Sequence, residues 1–244
     1  MAQYDRRYAA QAGTRVETHE VDEGLRSYML SVYNYMAAGI GITGVVAYAT
    51  HLLAQSSPAF QQIVQTGPFS LIFAFAPLAM VFYMSFRIHK MSVAAAQTSF
   101  WIYSALMGVS LSYLFYVYTQ QSLTQVFLIT AAMFGATSLW GYTTKRDLSS
   151  WGSFLIMGLI GVIIAMVVNL FLQSSAMMFA LSIISVVIFT GLTAYDTQKL
   201  KNIYYAVEGD ALAMGRSAIM GALNLYLDFV NIFLALLRLF GNRN

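Results

Sequence analysis

Trp151–Leu172 reads WGSFLIMGLIGVIIAMVVNLFL, an unbroken run without one charged side chain. A helix needs about 20 mostly apolar residues to cross a bilayer core, and this stretch meets that length alone. Working outward, six more segments satisfy the same rule with modest tolerance: Met29–Leu53, Phe69–Phe86, Val93–Tyr118, Leu123–Tyr142, Ala176–Tyr195 and Ser217–Leu239. The composition agrees. Of 244 residues 59% are hydrophobic and 9% charged, against about a quarter charged in soluble domains, and the mean hydropathy is +0.64. The sequence therefore predicts an all-α polytopic membrane protein, a bundle of seven transmembrane helices. It divides into a polar N-terminal tail (1–26), the membrane domain (27–241) and a short C-terminal tail (242–244).

Several classes fall away early. A net charge of +3 is too small to imply nucleic acid. The chain has no cysteine, so disulfides and thiolate metal sites are excluded. The tail is polar and mixed in sign, unlike a secretory signal.

Orientation follows from lysine and arginine in the short loops. The connections around Gln55–Pro68, Gln120–Gln121 and Gln173–Ser175 carry none. The alternate ones carry Arg87 and Lys90, Lys145 and Arg146, and Lys199, Lys201 and Arg216. This places the N-terminus and the basic loops in the cytoplasm. Seven crossings would leave Arg238 and Arg243 outside. The last helix must then either tolerate a basic outer end or re-enter the membrane.

Some features invite discounting. Gly39-Ile40-Gly41-Ile42-Thr43-Gly44 matches a dinucleotide-binding pattern, but that pattern needs a preceding strand and an acid about 20 residues beyond. Here it lies inside an apolar helix, where small residues serve helix packing. His51 and His89 are isolated and read as interfacial. Asp147 reads as the N-cap of the fifth helix.

Two acids break the apolar rule, Asp196 and Asp228. A charge at mid-helix costs about 2.5–3.5 kcal/mol on insertion scales. Asn224, Asp228 and Asn231 share one helical face by their i, i+4, i+7 spacing, so that face should look inward. The plain alternative is a protonated Asp228 acting as interhelical glue. Asp196, three residues before Lys199, could be an interfacial acid in water. Depth is a difficulty for pairing them. If the last helix starts at Ser217, Asp228 lies about 16 Å along its axis, while Asp196 sits near the basic rim. A later helix start, or a sixth helix continuing through Lys199, would bring them level.

At these residues a family comes into view. Thr190–Lys201 (TGLTAYDTQKLK) resembles the sixth-helix motif of the Bax-inhibitor family. Ala222–Leu234 (ALNLYLDFVNIFL) resembles its last helix, and Gly141–Ser149 (GYTTKRDLS) the loop between its fourth and fifth. The likeness runs from Tyr28 to Gly241 and is nearest the bacterial YccA-like branch. It implies a bacterial inner-membrane protein whose last helix is central, surrounded by the other six. It also implies a pH-sensitive calcium leak closed by a dyad corresponding to Asp196 and Asp228, with Arg87 as the available partner from the second helix. Asn224, Asn231 and Thr193 would then line the path.

On this reading the partners are the bilayer, protons and Ca²⁺, the last as permeant ion held transiently by Asp196 and Asp228. No resident cofactor is expected. The physics is simple: two adjoining carboxylates cannot both ionise cheaply, so they share a proton and titrate as a pair. Oxygen ligands suit calcium, and two acids with two asparagines suit passage better than storage. An alternative is a regulator of a membrane-bound ATP-dependent quality-control protease, recognised through the 1–26 tail. Catalysis is not expected, because neither acid sits in the Gly-x-Gly-Asp context of intramembrane aspartyl proteases and no Ser/His pair is in register.

Overall fold

The computed structural model describes residues 23–64 and 69–244, so most of the polar tail lies outside the described residues. Among these are seven helices long and apolar enough to cross a membrane: α1 (Glu23–Ser56), α2 (Ser70–Arg87), α3 (Val93–Leu111), α4 (Gln120–Thr143), α5 (Ser149–Leu172), α6 (Ser175–Val207) and α7 (Ala211–Phe240). The chain is an all-α polytopic membrane protein.

The helix ends are written locally. Ser92, Thr119 and Ser174 accept the N–H groups of Ala95, Ser122 and Met177, and Asp210 accepts two, from Leu212 and Ala213. Each satisfies a donor that the first helical turn leaves without a partner. Asp147 departs from the expectation by one residue. The N-cap of α5 is Leu148, which has no capping side chain, and the Asp147 carboxylate accepts Ser149 N–H at 2.9 Å from just outside the helix.

Two boundaries move further. α6 continues past Tyr195 to Val207, because nothing breaks it before Gly209, whose φ is +89°. Its polar end stays helical, with Lys201 Nζ donating to the Tyr142 carbonyl at 2.6 Å. α7 begins at Ala211 rather than Ser217. Its first turns run along the bundle end, where Arg216 Nε donates to the Met91 carbonyl at 2.6 Å.

α7 is the centre of the bundle. In its most apolar window 67% of the residues are buried, against no more than 39% in any other helix. It packs chiefly on α6, α1, α4 and α3. The expectation of six surrounding helices is met less evenly, since α2 packs mainly on α3, and α5 mainly on α6.

The far end of α7 settles the re-entrant alternative. Asn242 and Asn244 pair with the α3–α4 connection: Thr119 N–H donates to the Asn242 carbonyl and Asn244 N–H to the Val117 carbonyl, both at 3.1 Å. α7 thus crosses fully, and Arg238 and Arg243 belong to the end without basic loops.

The glycine motif of α1 divides. A Cβ on Gly39 would come within 2.7 Å of the Phe100 ring, so that glycine does let α1 and α3 approach. Gly41 and Gly44 have nothing within 4 Å, and packing does not account for them. His51 is buried, stacked on Phe115 at 5.2 Å and edge-on to Tyr116 at 4.5 Å.

Candidate functional site

α6 and α7 run antiparallel through the short turn at Glu208–Asp210, and this turn sets the relative height of the two acids. Eleven residues of α6 follow Asp196 and seventeen of α7 precede Asp228. At the rise of an α-helix the offset along the axes is about 9 Å, well below the sequence expectation. The extension of α6 makes the difference. Both acids then line one cavity of about 400 Å³ between α5, α6 and α7.

The cavity has one polar side and one apolar side. Asp196 and Lys199 come from α6, and Asn224, Asp228 and Asn231 from α7, as the shared helical face requires. α5 supplies Ile156, Leu159, Val162, Ile163 and Met166. Asp228 is buried and its Oδ2 has no hydrogen-bond partner, while Asp196 is half-buried. Each acid lies within the other's electrostatic reach, and Lys199 acts on Asp196. The Lys199 ammonium also lies 5.9 Å from the Tyr195 ring centre. A buried carboxylate oxygen without a partner is costly unless protonated or met by a cation. Asn231 spends its Nδ2 on the Leu227 carbonyl at 2.8 Å. Among the described residues no group of three or more His, Cys, Asp or Glu side chains could hold a metal ion.

Two expected site residues lie elsewhere. Arg87 is exposed at the end of α2 and does not line the cavity. Thr193 is fully buried, its hydroxyl donated to the Phe189 carbonyl at 2.8 Å, outside the cavity lining.

The profile of the family described as "Inhibitor of apoptosis-promoting Bax1" matches residues 25–244. The chain belongs to the Bax-inhibitor family. Its relatives include "Uncharacterized protein RP147" of Rickettsia prowazekii, 48% identical over 97% of this chain and 98% of that one. "Inner membrane protein YbhL" of Escherichia coli K12 is 47% identical over 90% and 93%. An uncharacterized protein of Caulobacter vibrioides is 41% identical over 99% and 98%.

Lys199, not Arg87, lines the cavity beside the two acids of this Bax-inhibitor chain. The signal was present as the i, i+3 spacing from Asp196, which puts both side chains on one face of a helix. It reads as a membrane-rim lysine only if α6 stops at Tyr195. Gln198 is a second residue hidden the same way. Its Oε1 accepts Leu148 N–H at 2.8 Å and its Nε2 donates to the Arg146 carbonyl at 2.7 Å, fixing the α4–α5 loop beside the site.

Proposed function

We propose that this membrane protein is a pH-sensitive cation leak, with Ca²⁺ as permeant ion, gated by the Asp196–Asp228 pair. The observation that carries this reading is the shared cavity. It joins two acids within electrostatic reach, one with an unpartnered buried oxygen, to two carboxamides on the central helix.

With a proton on the pair, the buried unpartnered oxygen of Asp228 carries no full charge and α6 can stay packed against α7. Loss of that proton sets two anions side by side where the dielectric is low and repulsion strong. The helices then part, or a cation enters to neutralise the pair. Calcium fits such a site because it takes carboxylate and amide oxygens. Two acids hold it loosely enough to let it pass. Lys199 supplies a fixed positive charge at the same cavity and restrains the leak. No catalytic step and no resident cofactor belong to this function.

The N-terminus and the basic loops are assigned to the cytoplasm. Support comes from the one-sided distribution of lysine and arginine, and from contacts joining the basic loops at one end of the bundle. The printed name of the Escherichia coli relative supports an inner membrane location.

The test is calcium efflux from liposomes holding the purified protein, at several pH values. The leak should rise as pH increases through the titration of the pair, and Asp228→Asn should flatten that dependence. Equal leaks from wild type and Asp228→Asn at every pH would refute the gate.

A further inference from the structure

We infer that the slot between α1, α4 and α7, on the side of the bundle away from the acid pair, is a binding site for one phospholipid acyl chain. This cavity has a volume of about 450 Å³. Ile40, Leu123, Phe127, Phe229 and Phe233 make its walls. Its floor is the Thr43–Tyr226 hydroxyl pair, 2.7 Å apart. Thr43 spends its single proton on a main-chain carbonyl, with Ser104 at 2.8 Å and Gly39 at 3.0 Å, so Tyr226 is the donor to Thr43. The floor is thereby satisfied without help.

Those facts decide the occupant. A water in a cavity needs about two to four polar partners, and the depth of this slot offers no unsatisfied one. Leaving it empty would deprive its walls of dispersion contacts. The slot is also open to the membrane rather than sealed. α1 and α4 are tied towards the basic-loop end by the Tyr33–Ser138 hydrogen bond of 2.6 Å. Beyond that tie they part, and Gly44 and Tyr48 of α1 face outward opposite Gln120 and Thr124 of α4, all exposed. Hydrocarbon is the solvent at that mouth.

The polarity is graded as a lipid requires. Gln120 and Thr124 stand at the start of α4, level with the α3–α4 connection, where a headgroup and its ester groups would lie. Tyr226 lies in mid-membrane. From Phe233 to Tyr226 the slot runs about 10 Å along α7, roughly a third of a bilayer core. A chain from the leaflet on that side would therefore reach the middle of the bundle. This also accounts for Gly44, which helix packing leaves unexplained. It has nothing within 4 Å of the place a Cβ would take, and the absent side chain keeps the mouth open. The inference does not depend on the cation reading. It does place lipid on the back of the helix that carries Asp228.

The test uses a phosphatidylethanolamine with a diazirine near the end of one acyl chain, mixed into liposomes holding the full-length protein. After irradiation, the labelled peptides are mapped by mass spectrometry. Wild type should carry label on Tyr226, Phe229 or Val230, the buried residues of α7 that line the slot. Gly44→Phe and the milder Gly44→Leu should lose the α7 label and keep that on the lipid-facing residues of α5. Gly161→Phe, at an α5 glycine with equally open surroundings, should keep both. No α7 label in wild type, or undiminished α7 label in whichever Gly44 variant keeps the wild-type melting temperature, would overturn the site.

Discussion

At the scale of single residues, charge is the controlling quantity. A fixed cation repels a mobile one, so its removal raises local cation concentration. Lys199→Met should therefore raise calcium efflux from liposomes at constant pH. Arg87→Met, at a residue away from the cavity, should leave it unchanged; the opposite ranking would return Arg87 to the gate. Asp147 shows the same physics in water. Hydrogen bonding by the Ser149 side chain, and then by its N–H, holds its carboxyl below the usual carboxylate range. The contribution to the start of α5 is complete above that range and is lost as pH falls through the lowered value. Hydrogen exchange at Ser149 should accelerate in strong acid, and Asp147→Ala should show that faster exchange at neutral pH. The acids and asparagines were legible because each is rare in a span and the i, i+4, i+7 face is visible in the letters. Lys199 was half legible: its spacing could be read, but its setting depended on where α6 ends.

Among the elements, close approach and helix length decide the outcome. A Cβ on Gly141 would run into the Ala194 carbonyl oxygen, and that oxygen belongs to the backbone. α4 and α6 would have to separate. Gly141→Ala should lower stability by about 1–3 kcal/mol, the usual cost of overpacking. Gly161→Ala, with open space around it, should be neutral or slightly stabilising. Thermal unfolding in detergent compares the two, and similar melting temperatures would contradict the tight α4–α6 contact. The spans themselves could be read from hydropathy. The ends of α6 and α7 could not, because hydropathy marks where lipid stops and says nothing about where hydrogen bonding stops. The polar stretch to Val207 remains helical until Gly209 turns the chain, and that length brings Asp196 and Asp228 to one cavity. The three glycines of α1 look alike in sequence. Only the position of Phe100 separates Gly39, which packs, from Gly44, which opens a slot.

For the whole molecule the question is which end faces which compartment. The chain contains no cysteine, so single cysteines report cleanly. Gln121→Cys and Gln173→Cys should react with a membrane-impermeant maleimide added to intact cells with a permeabilised outer membrane, while Lys145→Cys should react only after lysis. The reverse pattern would invert the orientation. Alternation of basic loops supports the proposed orientation, but the sequence alone left the last helix free to re-enter. The pairing of Asn242 and Asn244 with the α3–α4 connection resolves that through backbone hydrogen bonds, which any residue type can make. On the proposed gate, Asp228, on the central helix α7, is protonated when the path is shut. Infrared difference spectroscopy of the protein in liposomes, titrated in pH alongside calcium efflux, tests this most directly. The proposed gate requires a protonated-carboxyl band, absent in Asp228→Asn, that disappears over the same pH range in which the leak begins. A band that is missing from the shut state, or that stays constant while the leak turns on, would contradict it.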